Sequence, residues 1–385
     1  MSPADGPDAG RLFQIFLDLA KIDSESGHER AVCEYIRGFC SNLGLAVHED
    51  KAGADTGGEC GNLVVRVPAG AFSPHAPVIL CAHMDVVSPG TGVIPFDAGD
   101  RFISISETVL GADCKAGVAA ILAATESLIG TGGPYRALEL VFTVQEELGL
   151  IGSKNLDMSL IDGVWAVVLD GSGPVGGIVT QAPSQDRMKI AVKGRAAHAG
   201  VEPENGRSAI MCAARAIAPL RLGRLDETTT SNVGLISGGD AVNVVPEDAV
   251  VECELRSFSE ERLDTERDLV IKSFERAAED TGCELDIQVE RSFRQFKLDP
   301  SSTPVIFLAA ALKECGFEPK LNASGGGSDA NIFNRQGVPT SVMNIGLVNA
   351  HSKEEYILKE DLHGIARSIT ALAFIAANEG KGTVA

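Results

Sequence analysis

Val78-Ile79-Leu80-Cys81-Ala82-His83-Met84-Asp85 sets five apolar residues directly against a histidine and an aspartate two positions apart. An apolar run with no polar alternation reads as a strand buried on both faces, as in a sheet covered by helices on each side. Upstream, Leu12, Ile15, Phe16 and Leu19 have helical spacing, a second helix is expected over 29–43, and a β-rich run covers 62–67. Downstream, a small-residue helix over 116–128 precedes short apolar strands at 137–144 and 164–169. Strands alternating with helices in this way predict an α/β layer structure with a mixed, mostly parallel sheet.

From Asp186 the texture changes. A strand over 187–193, a helix over 207–220, strands over 232–236 and 249–256, a charged helix over 260–281 and a strand over 284–290 make the order β-α-β-β-α-β. That is the split ferredoxin-like unit. The α/β texture then resumes with a helix over 303–315, a strand over 340–345 and a helix over 359–378. The expected organisation is a catalytic domain in two parts, 1–180 and 295–385, interrupted by an inserted domain over 181–294. Residues 1–9 read as a loose leader.

The chain has 385 residues, 44% of them hydrophobic and 5% aromatic, and its 53 acidic against 33 basic residues give a formal charge of −20. Such a surface repels phosphate backbones and anionic headgroups, which argues against nucleic-acid and membrane partners. No continuous apolar run approaches the ~20 residues of a bilayer span; stretches such as 117–124 are the length of a buried helix segment. No basic region followed by an apolar stretch opens the chain. The nine cysteines are scattered, odd in number and without a C-x-x-C pair, which fits reduced thiols in the cytoplasm.

Candidate chemistry gathers at the expected strand ends, where open α/β sheets bind their ligands. His83 and Asp85 project to the same side of a strand end, the placing of a histidine ligand and the carboxylate that orients it. Asp113 stands in Gly111-Ala112-Asp113-Cys114-Lys115-Ala116-Gly117 before a helix, as a cap or a ligand, and the glycines permit close backbone approach. Glu146 and Glu147 follow an apolar strand, either as a solvated pair or with one ligating a cation while the other moves a proton. Asp170 ends a strand, and His351 follows one. Two histidines and three carboxylates suit a pair of borderline divalent ions, zinc first, with cobalt or manganese as alternatives. Gly325-Gly326-Gly327 offers freed backbone N–H groups as a nest for a substrate carboxylate. Gly171-Ser172-Gly173-Pro174-Val175-Gly176 matches a dinucleotide fingerprint by letter, but extended chain follows it where a helix is required, so a nicotinamide-dependent oxidoreductase is kept only as the weakest alternative.

The segments CAHMDVV (81–87), GADCKAG (111–117), QEELGLIGS (145–153), VLDG (168–171), GRAAHAG (194–200), SGGGSDAN (324–331) and NAHS (349–352) occur in the order of a known family. The chain resembles the dinuclear-zinc metallopeptidases that include tripeptidase T, aminoacylases and glutamate carboxypeptidases, and most of all the peptidase T-like branch. The resemblance implies a zinc-peptidase-like catalytic domain holding two Zn2+ per subunit. His83 and Asp170 would hold one zinc, Glu147 and His351 the other, and Asp113 would bridge. It implies that Glu146 is the general base, that Asp85 orients His83, and that the inserted domain serves as lid and homodimer interface. It implies that His198 stabilises the oxyanion and that Asn243 and Arg256 contact substrate.

Two departures stand out. Cys114 follows the bridging aspartate where acidic or amide residues are common in relatives, and Ser324 precedes the glycine loop where true tripeptidases carry arginine. The expected activity is hydrolysis of small peptides in the manner of a tripeptide aminopeptidase. Rival readings are an N-acyl-amino-acid deacylase or carboxypeptidase using the same metal chemistry, and a catalytically silent metal-binding oligomer.

Overall fold

A computed structural model describes residues 5–70 and 75–378. They form two compact units. One comprises the chain through Gln181, Lys297–Ser324 and the chain from Ser328 onward; the other comprises Ala182–Phe296 with Gly325–Gly327. Of the leader read over 1–9, residues 1–4 lie outside the described residues, while the Asp8 carboxylate caps the helix Ala9–Ala20 by accepting from the Arg11 N–H at 2.8 Å.

The first unit is built on a mixed sheet whose centre is parallel. Leu138–Thr143, Val78–His83, Ala166–Ser172 and Thr340–Val348 lie side by side in that order, all parallel, and Leu63–Val67 joins antiparallel at one flank. Every residue of Val78–His83 and Leu138–Thr143 is buried, as the unbroken apolar runs require. The register sets His83 opposite Thr143 and Cys81 opposite Val168, so the carboxyl ends of three strands open at one level. That common edge brings together residues far apart in sequence.

The helix Ala112–Thr131 lies against this sheet; Asp113 and Cys114 occupy non-helical backbone inside its first turn, so the regular helix begins only after them, close to the start that the apolar spacing indicates. By length and composition the helix could cross a membrane, which the shorter run 117–124 does not suggest, but 72% of its apolar window is buried inside the protein. It is the core helix of an α/β layer. Gly117 lets it approach the sheet: a Cβ there would lie 2.7 Å from the Leu169 carbonyl oxygen and 2.9 Å from Cys114 Sγ. Short strands missed by the sequence reading, among them Pro95–Asp97, Arg101–Ser104 and Tyr356–Leu358, extend the sheet beyond Thr340–Val348. The Gly177–Ala182 stretch is a strand, so the glycine fingerprint before it opens no helix.

The second unit is an antiparallel sheet in the order Gly223–Arg224, Thr229–Gly238, Asp248–Ser257, Ser184–Lys193, Glu284–Phe293. Without the two-residue strand, this is the β-α-β-β-α-β arrangement. Met188, Ile190 and Val192 are buried at alternate positions of their strand and pack, with Val251 and Leu255, against the helices Ala209–Ile217 and Glu260–Thr281.

Candidate metal centre

The parallel edge of the first unit delivers five carboxylates and two imidazoles to one cluster. His83 Nδ1 lies 2.9 Å from the Asp85 carbonyl oxygen and 3.3 Å from Asp85 Oδ1. Both are acceptors, so Nδ1 carries a proton and Nε2 faces the cluster. Nε2 stands 3.2 Å from Asp113 Oδ1 and 3.6 Å from Asp170 Oδ1. The other Asp113 oxygen lies 3.3 Å from His351 Nε2, which is 2.9 Å from Glu147 Oε1. Asp113 therefore faces one histidine with each oxygen.

Donor atoms of His83, Asp113 and Asp170 form one tight group, and those of Asp113, Glu147 and His351 form another. Both contain Asp113. Cys114 Sγ falls within the first group, but its thiol donates to the Leu169 carbonyl at 2.6 Å, and burial pushes its pKa well up. It sits beside the cluster as a protonated thiol. Glu146 joins His83 and Glu147 in a third grouping.

Asp85 does more than orient His83. Its fully buried carboxylate accepts from Ser26 Oγ at 2.6 Å, from the Glu146 N–H at 3.0 Å and from the Glu147 N–H at 3.1 Å. Burial alone would raise its pKa, but the contacts with His83, Ser26 and Glu146 outweigh burial and hold it below the ordinary value. The turn carrying the two glutamates is held from its other side by Glu29, whose Oε1 accepts from the Gln145 N–H at 3.0 Å and the Gly27 N–H at 2.8 Å. Gln145 has φ +50°, so the chain turns sharply just before the glutamates.

The cluster is electrostatically overloaded. Burial, reinforced by Asp113 and Glu147, lifts the Asp170 carboxyl to about 8 despite the His83 contact. Burial and the Asp170 charge push Glu146 well above the carboxylate range. The Asp113 and Glu147 carboxylates raise the His351 imidazole to about 10. Burial opposes ionisation of Asp113, but His351 and His83 together hold it well below its usual value. Gathered without a cation, these groups take up protons to relieve like-charge repulsion. Glu147 Oε1 is in addition buried, and although it lies 2.9 Å from His351 Nε2 the pair lacks the geometry of a hydrogen bond. A nitrogen–oxygen donor set of this charge fits divalent cations.

Three buried carboxylates that brace the cluster escape the sequence reading. Glu29 is one. Asp329, just past the glycine loop, accepts from Thr143 Oγ1 at 2.6 Å and lies 3.7 Å from Cys81 Sγ, so it braces two strands behind the cluster. Glu355, four residues beyond His351, accepts from the backbone of Gly111 and Asp113. Only Asp329 stands inside a quoted motif.

The other expected site residues belong to the second unit. Arg256 is held by Glu254, with Nε 3.1 Å from Oε1, and its Nη1 donates to the Gly325 carbonyl at 3.2 Å. Gly327 packs against the Phe293 ring, where a Cβ would be only 2.4 Å from the nearest ring carbon. His198 is exposed, and the Ala199 N–H donates to the Asn243 carbonyl at 3.0 Å, so His198 and Asn243 share one loop pairing.

The model of the family described as Peptidase family M20/M25/M40 matches residues 79–374, which take in every residue of the cluster. The chain belongs to this peptidase family. This M20 chain is 37% identical over 362 residues to the uncharacterized protein YqjE of Bacillus subtilis strain 168, covering 94% of the chain and 97% of the relative. Its fold matches the crystal structure of the aminopeptidase PepT from Bacillus cereus ATCC 10987 with a TM-score of 0.85 and 35% identity, over 96% of this chain and 99% of that one. It matches a tripeptidase of Staphylococcus aureus subsp. aureus Mu50 with a TM-score of 0.90 and 33% identity, over 97% and 100% of the two chains. The M20 chain is a metallopeptidase, and its structure gathers histidine, aspartate and glutamate donors in a cluster that could hold metal ions.

Proposed function

We propose that this M20 peptidase removes the N-terminal residue from tripeptides at a dinuclear zinc centre. The observation that carries the reading is Asp113 facing His83 with one carboxylate oxygen and His351 with the other. His83 and Asp170 would hold one ion and Glu147 and His351 the other, with Asp113 shared between them. When bound, such ions polarise the scissile carbonyl and make water acidic at neutral pH. Glu146, buried beside the ligands, takes the proton of the attacking water and passes it to the departing amine. Its raised affinity for protons suits that task. Asp85 fixes the ring of His83 and the turn that presents Glu146.

His198 is assigned to the oxyanion, Asn243 and Arg256 to substrate carbonyl or carboxylate, and Gly325-Gly326-Gly327 to the substrate's carboxylate end. The second unit is assigned as lid and homodimer interface. Support for the dimer comes from the strand Thr229–Gly238, which beyond its short pairing with Gly223–Arg224 presents an open edge with Leu235 65% and Ile236 55% exposed. An apolar edge strand is a template for a second copy. The nine free thiols suit a reducing cytoplasm.

Ser324, where tripeptidases carry arginine, favours a deacylase or carboxypeptidase as the second reading. Release of the N-terminal residue from a free tripeptide, run beside its N-acetylated counterpart on zinc-loaded protein, separates the two. The proposal expects cleavage of the free peptide. Preference for the blocked one supports the second reading, and silence on both revives a non-catalytic metal-binding role.

A further inference from the structure

Asp113 owes its position to an unusual turn. Gly111 sits at φ +73°, ψ 26°, Asp113 at φ −83°, ψ 102° and Cys114 at φ −115°, ψ 23°, so the first turn of the helix Ala112–Thr131 is not helical, and Gly111 supplies no side-chain cap. The N–H groups of such a turn need partners from elsewhere. They find one in a single residue. Glu355 Oε2 accepts from the Gly111 N–H at 2.8 Å, and Oε1 accepts from the Asp113 N–H at 3.0 Å.

A local serine or asparagine would cap a helix without adding charge. Here the acceptor is instead a carboxylate, 2% exposed and 244 residues from Gly111, placed next to Asp113 in a cluster already rich in negative charge. Burial and like-charge repulsion both oppose it. What it achieves is geometric. The Glu355 N–H bonds to the Ser352 carbonyl at 3.1 Å, and Asn349 Nδ2 donates to the Glu354 carbonyl at 3.3 Å. Glu355 thus ends the tight loop that carries His351, at φ +63°, and clamps that loop to the turn that carries Asp113.

We propose that Glu355 is a positioning residue that fixes Asp113 between His83 and His351, and so couples occupancy of the two metal positions. Its carboxylate bonds to backbone N–H groups, and it acts through the backbone of Asp113. The proposal rests on the dinuclear reading above.

The test is titration of the metal-free full chain with cobalt(II), followed by calorimetry and by visible absorption, for wild type, E355Q, E355D and E354Q. Glutamine can accept from only one of the two N–H groups. Aspartate keeps the charge but is one methylene too short to hold both. We expect two cobalt ions per wild-type chain. E355Q should bind ten- to a hundredfold more weakly, the usual scale for a lost outer partner of a ligand. Its cobalt absorption bands should change at unaltered far-ultraviolet circular dichroism, a change that a purely structural defect would not produce. E355D should fall between the two, which keeps the test decisive if E355Q is poorly folded. E354Q, altered at an exposed neighbour, should match wild type. Wild-type affinity and bands in E355Q or E355D would overturn the role of Glu355 while leaving the dinuclear reading intact. Fewer than two ions on wild type would overturn that reading itself.

Discussion

Asp85 Oδ1 accepts the backbone N–H of Glu146 at 3.0 Å while lying 3.3 Å from His83 Nδ1. One carboxylate therefore sets both a ligand ring and the turn bearing the residue assigned as base. The ring proposed as a metal ligand and the residue proposed as base thus share a single anchor.

Replacing Asp85 should harm both. Asp85→Ala strips the N–H groups of Glu146 and Glu147 and the hydroxyl of Ser26 of their acceptor. The expected cost is about 3 kcal/mol, since buried donors left unpaired forfeit their hydration. Cobalt affinity should drop ten- to a hundredfold with it. Asp85→Asn, which keeps one acceptor oxygen, should lose less on both counts. Urea unfolding and cobalt titration of the two variants check this; an alanine variant of wild-type stability would contradict it.

The adjacent glutamates should separate cleanly. Glu146→Ala is expected to keep its metal content and lose turnover by about 10²–10⁴-fold, the usual contribution of a positioned base. Glu147→Ala is expected to lose metal. Metal analysis of dialysed protein together with kcat distinguishes them, and loss of metal in the Glu146 variant would contradict the division of labour.

The metal-free protein should become less stable as pH rises from 6.5 to 8. Asp170 titrates near 8 in the fold against an ordinary 3.8, and His351 near 10 against 6.5. Across this window the folded state binds more protons than the unfolded chain at both groups, so raising pH favours unfolding. Each full proton is worth about 1.4 kcal/mol per pH unit, and the half-exposed position of His351 reduces its share through solvent screening. Bound cations require deprotonated ligands, so zinc loading should abolish the fall. Thermal melts with and without zinc at pH 6.5 and 8 test the sign. Metal-free protein that gains stability across the window would contradict it.

Much of this architecture is legible in the sequence because two-sided burial leaves its mark directly. The runs at Val78–His83 and Leu138–Thr143 are apolar throughout, and every one of their residues is buried. The helix Glu260–Thr281 has a sharp start at the Ser259 cap and a sharp stop at Gly282. The cluster is legible because parallel strands end at one edge, so residues following apolar runs become neighbours. Glu29, Glu355 and the wider role of Asp85 are not legible. Each acts through backbone N–H groups brought near by folding, and a lone carboxylate at a helix start or in a loop has no periodicity. The irregular turn at Asp113 is hidden for the same reason, since its partner lies at the far end of the chain.

Gly117→Ala should be costly despite alanine's better helix propensity. The new methyl would press against the Leu169 carbonyl and Cys114 Sγ, pushing the helix off the strand that carries Asp170. A loss of about 1–3 kcal/mol, typical of overpacking, should appear as a lowered denaturant midpoint, with weaker cobalt binding alongside. An unchanged midpoint would mean that the helix can shift without strain.

The most direct test of the dinuclear centre is anomalous diffraction at the zinc edge from zinc-loaded crystals. The account predicts two peaks, one beside each oxygen of Asp113, the first shared with His83 and Asp170 and the second with Glu147 and His351. A single peak, or a pair that leaves Asp113 unligated, would contradict it.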